Sequence, residues 1–150
     1  MKKLIFFLII ILVTLFESNA QVTGATPYIS QFGSNQVDSG SGANWKVINL
    51  DANNIVIAIV DVYGDVVAHA FIKKKESYMF KDLPIGSYSY KFSSAGSFFE
   101  SKKLVNFQGC NPKIYICEGG PEWEVQVWVK RSTNSSGKSG KISKKAFFGK

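Results

Sequence analysis

The sequence predicts an all-β protein, an antiparallel β-sandwich, on three observations. Short runs rich in β-branched and aromatic residues recur at intervals of about ten residues. Turn-forming Gly, Pro, Asn and Asp separate these runs, and no stretch after residue 20 keeps a sustained helical period. The chain of 150 residues is 45% hydrophobic and 19% charged, which is enough apolar material for one folded domain.

The first twenty residues predict a cleaved secretory signal peptide. Two lysines precede an apolar run over residues 4–16. Small residues at Ser18 and Ala20 then place cleavage before Gln21. A membrane anchor is the alternative, but this run is shorter than the ~20 apolar residues that span a bilayer. We therefore expect a mature chain that is secreted or periplasmic and has no transmembrane span.

The mature chain is predicted to have three parts. Residues 21–44 are rich in Gly, Ser, Asn and Gln and are expected to form a flexible or loosely docked leader, with Tyr28 and Phe32 pinning it to the body. Residues 45–131 hold the sandwich. Residues 132–150 are rich in Ser, Gly and Lys and are expected to be a basic flexible tail or one last edge strand.

The strands follow from the alternation of apolar and polar positions. The segment Ile55–Val62 is apolar on both faces, as a central buried strand should be. The segment Ser87–Phe92 alternates, so that Tyr88, Tyr90 and Phe92 face inward. In chain order, the predicted strands are Trp45–Leu50, Ile55–Val62, Val66–Ile72, Ser77–Phe80, Ser87–Phe92, Phe98–Phe99, Leu104–Phe107, Ile114–Cys117 and Trp123–Lys130.

The stretch from Ile55 to Phe92 carries a family resemblance. It contains an apolar strand, a D-x-x-G-D turn, a returning strand, and then the pattern F-x-x-L-P-x-G-x-Y from Phe80 to Tyr88. This stretch resembles the prealbumin-like, carboxypeptidase-regulatory type of β-sandwich. It is also similar to small secreted bacterial proteins of unknown function that share V-x-H-A-F-I and L-P-x-G-x-Y. The resemblance implies a sandwich fold and a non-catalytic role.

The two cysteines predict one disulfide. Cys110 and Cys117 lie close in sequence around a turn-forming Asn-Pro, and an exported chain meets an oxidising compartment. A reactive or metal-binding pair is the alternative, but the lone histidine lies about forty residues away and metal sites need more ligands. We expect no metal and no cofactor.

Positive charge is concentrated after Val129. The mature chain carries sixteen basic and ten acidic residues, but residues 21–129 carry nine and ten. A nucleic-acid-binding surface is therefore a poor interpretation, because such surfaces spread Lys and Arg over a folded face. The tail could attach to anionic polymer or simply be solvated. Its candidate binding lysines are Lys138, Lys141, Lys144, Lys145 and Lys150.

No set of residues predicts catalysis. His69 lies on a strand without a nucleophile or carboxylate motif nearby, so we expect a half-buried side chain bonded to a cross-strand group. Asp61 and Asp65 flank a hairpin turn, where Asp commonly bonds the backbone. Glu122 and Glu124 lie on one face of a strand, which is typical of a solvated edge.

Aromatic residues outside the expected core are the candidates for binding. Trp128 falls on the outward face of the last strand, Tyr63 lies at a hairpin tip, and Phe98 and Phe99 follow a turn. Exposed aromatics beside polar groups stack on sugars or anchor protein partners. The alternative is that a second layer covers them.

These observations leave two main hypotheses. The first is an exported, monomeric, non-catalytic binding or structural module whose partner is an envelope or extracellular polymer or a protein. The alternative is a secreted inhibitor or immunity-type protein. It would block an extracellular enzyme or toxin with the Cys110–Cys117 loop, through Lys113, Ile114 and Tyr115. A hydrolase of unfamiliar type is the least supported hypothesis.

Overall fold

Two β-sheets pack face to face. The computed structural model describes residues 21–107, 122–127 and 139–149, except for the side chains of residues 102, 122–126 and 139. The smaller sheet has the strand order β4-β1-β7 and the larger sheet has the order β3-β2-β5-β6-β8. The elements are α1 (Ile29–Phe32), β1 (Asn44–Asn49), β2 (Ile55–Asp61), β3 (Val66–Ile72), β4 (Ser77–Phe80), β5 (Gly86–Ser94), β6 (Ser97–Phe107), β7 (Glu122–Val127), β8 (Ser139–Ile142) and α2 (Lys144–Phe148). The predicted all-β sandwich is confirmed.

Two details of the strands differ from the prediction. β1 and β7 run parallel, with Trp45 beside Trp123, whereas the other described pairs are antiparallel. The two short strands predicted at Phe98–Phe99 and Leu104–Phe107 belong to one strand, β6, because the polar residues between them also pair with β5. The predicted signal peptide and the predicted strand Ile114–Cys117 lie outside the described residues.

The core lies between the two sheets. Ile55, Ile57 and Ile59 of β2 alternate onto its inner face and are buried. Trp45 of β1 meets them from the smaller sheet, and its ring lies 5.7 Å from that of Phe107 and 6.3 Å from that of Tyr90. Complete burial of one large apolar side chain stabilises a fold by about 1.5–3 kcal/mol, so this layer dominates the stability of the sandwich.

The pattern F-x-x-L-P-x-G-x-Y closes one end of this core. Phe80, Leu83 and Tyr88 are all buried. The Tyr88 hydroxyl donates a hydrogen bond of 2.6 Å to the Pro84 carbonyl, which holds the turn against the strand that follows it. Burial, together with the charge of Asp61, raises the pKa of the Tyr88 hydroxyl, so it remains a donor at neutral pH. The pattern therefore has the structural role that its residue types indicate.

The outer face of the larger sheet is also covered. Val56 and Ala58 point away from the core between the sheets, yet both are buried. The cover consists of α1 and α2, whose aromatic rings meet over β3 and β6. We call this set the outer aromatic layer; its members are Tyr28, Phe32, His69, Phe98, Phe147 and Phe148. β2 is therefore buried on both faces, as its composition predicts.

The leader forms part of the domain. An edge strand exposes unpaired backbone groups, and here the leader pairs with those of β3. The Asn35 side chain accepts a hydrogen bond from the His69 N–H (2.9 Å) and donates one to the His69 carbonyl (3.1 Å). Backbone bonds of 2.8 Å run from Gly24 N to Phe71 O, from Phe71 N to Ala25 O and from Gln36 N to Val67 O. These bonds hold the leader at both ends of β3, and Tyr28 and Phe32, the two aromatics expected to pin it, lie against Phe147 and His69.

The tail continues the larger sheet and then covers it. β8 pairs with β6 at the edge of the sheet, which corresponds to the edge-strand alternative for this segment. α2 begins at the N-cap Ser143, whose hydroxyl accepts from the Ala146 N–H at 3.0 Å. Gly149 ends the helix with φ 73°, a conformation that favours glycine. Phe147 points into the outer aromatic layer and is completely buried.

The turn between β5 and β6 yields a stability prediction. Ala95 and Gly96 form a two-residue hairpin with φ of 45° and 73°. Alanine is strained at positive φ, and asparagine tolerates it better. Ala95→Asn is therefore expected to raise the free energy of unfolding by about 0.5–1 kcal/mol, measured by urea denaturation. Ala52→Asn, at an exposed turn position without positive φ, is the control. Equal effects of the two changes would contradict the assignment of strain to Ala95.

Candidate functional site

The hairpin between β2 and β3 holds Tyr63 in solvent. One Asp61 carboxylate oxygen accepts from the N–H groups of Tyr63 and Asp65, both at 2.9 Å, and Gly64 supplies φ 95°. This is the backbone-bonding role expected for Asp at such a turn. As a result Tyr63 is 87% exposed, and Val62 beside it is 57% exposed. The tip is a fixed turn that presents one aromatic ring outward.

A pocket of about 420 Å³ lies beside this hairpin. We call it the hairpin pocket. It lies between the hairpin, α1 and the end of α2, so residues from distant parts of the chain meet there. Its aromatic lining comes from Phe32, Phe147 and Phe148, and its polar lining from Gln31, Gln36, Asp65 and Lys91. A concave site with an aromatic wall and a few polar groups is the usual form of a small-ligand site.

The charges of the hairpin pocket are balanced. Asp65 contributes one carboxylate and Lys91 one ammonium group among the lining residues. The ammonium of Lys91 already donates a hydrogen bond of 3.1 Å to the Ala146 carbonyl, so part of its capacity holds α2 in place. The remaining polar groups are the side-chain amides of Gln31 and Gln36, which both donate and accept hydrogen bonds. This lining suits an uncharged, hydroxyl-bearing ligand better than an ion.

Phe98 and Phe99 do not form the exposed patch that the sequence predicts. They are neighbours on a strand and therefore point to opposite faces of the sheet. The Phe98 ring lies 5.0 Å from that of Phe147 in the outer aromatic layer. The Phe99 ring stacks on Phe92 in the inner core at 5.0 Å. Both side chains are half-buried, because each sheet face has its own cover.

The other predicted binding residues are divided between the described and undescribed parts of the chain. Lys141, Lys144 and Lys145 are exposed on β8 and α2. The described structure does not bring them together with Tyr63 in one pocket. The proposed binding residues and disulfide that lie outside the described residues are Trp128, Lys113, Tyr115, Cys110, Cys117, Lys138 and Lys150.

His69 is buried more completely than expected. Its side chain has no exposed surface, and the contact of its ring with the Thr26 backbone falls short of hydrogen-bond geometry at both ring nitrogens. The expected cross-strand partner is absent from this part of the chain because the residue opposite is Ala58. Burial lowers the pKa of the imidazole, and the nearby Thr26 backbone opposes this shift only in part. The ring is therefore neutral at pH 7 and lies beneath Phe32, with a distance of 5.2 Å between ring centroids.

The described residues contain neither a cluster of metal ligands nor a membrane-spanning helix. Across residues 21–107, 122–127 and 139–149, no group of three or more His, Cys, Asp or Glu is placed to hold a metal ion. Over those residues no helix combines the length and the apolar character needed to cross a bilayer.

The fold and the pocket define a class of protein, a two-sheet β-sandwich with a ligand-sized pocket beside an exposed aromatic hairpin. Comparison with protein-family models, curated proteins and solved structures found no match for the chain. The prealbumin-like resemblance therefore stays a prediction, and the function has to be argued from the site.

Proposed function

We propose that the chain is an exported, non-catalytic binding module for a neutral, hydroxyl-rich polymer of the cell envelope or extracellular space. The polymer would lie across Tyr63 and place one unit in the hairpin pocket. The observation that carries this proposal is the 87% exposure of Tyr63 on a hydrogen-bonded turn directly beside that pocket. The signal-like first twenty residues support export.

The chemistry of the lining supports a sugar-like ligand. Aromatic rings offer flat apolar faces on which the C–H groups of a sugar ring can pack, and Tyr63 adds a hydroxyl at its edge. Gln31 and Gln36 supply amide groups that pair with hydroxyls in either direction. One carboxylate and one ammonium group leave no charge excess to attract an ion. Exposed aromatic rings, amide side chains and balanced charges are each common on protein surfaces. Here all three occur at the hairpin pocket and the turn beside it.

The position of the lone histidine supports binding rather than catalysis. A general base has to reach the proton that it removes. The ring of His69 is completely buried beneath Phe32 and does not line the hairpin pocket. The carboxylate that lines the hairpin pocket belongs to Asp65. The N–H of Asp65 is hydrogen-bonded to Asp61 within the hairpin turn.

Replacement of Tyr63 tests the proposal. Tyr63→Ala is expected to weaken co-sedimentation of the mature chain with insoluble envelope polysaccharide or a neutral glucan by about tenfold, as loss of a central aromatic contact does. Urea denaturation should show unchanged stability, because the ring is exposed. Leu104→Ala, at another exposed apolar residue (56%), is the matched control and should bind like the wild type. Wild-type binding by Tyr63→Ala, or no binding by the wild type to either polymer, would refute the proposed site.

A further inference from the structure

His69 lies where two terminal segments meet. It belongs to β3, its backbone bonds to Asn35 of the leader, and its ring lies under Phe32 of α1. Phe32 in turn packs against Phe147 of α2 at 5.6 Å. Leader, imidazole and tail are thus joined by edge-to-face ring contacts on the outer face of the larger sheet. If the His69 ring had to reach water, these contacts would have to break.

Among the described residues, no carboxylate pairs with the His69 ring, and burial is the main cause of its lowered pKa. The adjoining outer-face positions of β2, Val56 and Ala58, are apolar. The row of paired residues that runs across the sheet from His69 passes through Ala58 of β2. It continues to Lys91 of β5 and then to Glu100 of β6. From the cover, the leader brings the Tyr28 hydroxyl and the Thr26 backbone, and α2 brings Lys144 and Lys145, which are exposed to solvent. The closest charged side chain along the row is thus not a carboxylate, so an imidazolium ion would be desolvated without a paired counter-charge.

We propose that the outer aromatic layer is a proton-sensitive latch, in which protonation of His69 releases α1 with the leader and α2 from the larger sheet while the inner sandwich stays folded. The closed layer holds the neutral ring, and the open layer lets either ring nitrogen bond to water. The inner core is a separate set of contacts, because Ile55, Ile57 and Ile59 face the smaller sheet.

The direction of the pH effect follows from proton linkage. Burial places the pKa of His69 in the closed form below its usual value of 6.5, whereas the open form has the usual value. The open form therefore binds more protons between the two values. The closed form keeps its full advantage above pH 6.5 and loses up to about tenfold in the closed-to-open ratio for each pH unit below it. This loss stops once the pH falls below the pKa of the closed form.

Hydrogen exchange on the full mature chain tests the latch. Amide exchange of residues 24–36 and 143–149 is compared with that of residues 55–60 in the same samples, between pH 7.5 and 5.0. The comparison with β2 removes the intrinsic pH dependence of amide exchange. The pH range stays above the usual pKa of carboxyl groups, about 4, so that carboxylates do not titrate in the experiment. The wild type is expected to show protection in the two segments that falls relative to β2 below pH 6.5, by up to about tenfold for each pH unit.

Two variants distinguish the latch from general acid weakening. His69→Leu and His69→Gln both lack the titrating group, and the second keeps a polar side chain in case the first alters the packing. Either folded variant should lose the pH dependence of the two segments. The proposal is overturned if the wild-type segments keep their protection relative to β2 at pH 5.0, or if a folded variant shows the same fall. Because the readout is exchange, its outcome is independent of polymer binding at Tyr63.

Discussion

Phe147→Ala is expected to lower the free energy of unfolding by about 3–4 kcal/mol, as removal of a buried phenylalanine does. Phe147 has no exposed surface, and its ring contacts those of Tyr28, Phe32 and Phe98. Alanine would leave a cavity bounded by the leader, β6 and α2 together. Those elements come from three separate parts of the chain and cannot collapse without giving up their own contacts. Urea denaturation followed by tyrosine and tryptophan fluorescence measures the loss.

Phe148→Ala provides the control from the same helix. Phe148 is half-buried and lines the hairpin pocket, so its truncation should cost about 1–2 kcal/mol. The two changes remove the same atoms from adjacent residues, and only the burial differs. A solvated tail would make both effects small and equal. That result would show that α2 does not cover the larger sheet in solution.

Asn49→Ala is expected to cost about 3 kcal/mol, because it leaves several buried backbone groups without partners. The Asn49 side chain is completely buried at the end of β1. Its amide nitrogen donates to the carbonyls of Asn53, Ile72 and Lys73 at 3.0–3.1 Å. Its oxygen accepts from the Asp51 N–H at 2.9 Å. One amide thereby joins the end of β1 to the turn after it and to the end of β3.

Asn54→Ala is the matched control for this network. The Asn54 side chain is exposed and accepts one hydrogen bond, from the Lys74 N–H at 3.0 Å. Its removal should cost less than about 1 kcal/mol, because water can replace an exposed bond. Thermal or urea denaturation of the two variants measures the difference. If Asn49→Ala were as mild as Asn54→Ala, the buried network would not be a major support of the sandwich.

Strand positions were predictable because their signals are local. β3 and β4 begin and end where the sequence predicts, since a Gly-Asp turn precedes β3, four charged residues separate the two strands, and an Asp-Leu-Pro turn follows β4. The alternation in β5 correctly predicts the inward faces of Tyr88 and Phe92. In each case the strand limits and the direction of a side chain depend on residues that are close together in the sequence, so rules with a short range in sequence are sufficient to predict them.

The cover of the larger sheet was not predictable, because it depends on pairing between distant segments. The apolar character of both faces of β2 indicates that something covers the outer face, but it does not identify the cover. The leader is mostly polar, and besides Tyr28 and Phe32 it docks through backbone groups and through the side chains of Thr23, Asn35 and Ser41. Such bonds leave no periodic signal in a sequence. The helix α2 is five residues long, too short to show a helical period.

The candidate site was predictable only in part for the same reason. The exposure of Tyr63 follows from its place in a two-strand hairpin, which the sequence shows directly. The hairpin pocket beside it is formed by Gln31, Gln36 and Phe148, which come from the leader and the tail. Only the fold brings these residues to the hairpin. The burial of His69 was underestimated because the layer above it was not foreseen.

Proton NMR of the mature chain at neutral pH shows whether the two terminal segments meet over the larger sheet. We expect nuclear Overhauser effects from the Phe147 ring to the rings of Phe32 and Phe98, whose centroids lie 5.6 and 5.0 Å away. We also expect Phe147 resonances shifted away from their positions in an unfolded peptide. Unshifted Phe147 resonances without these contacts would contradict the covered outer face, and with it the hairpin pocket and the latch.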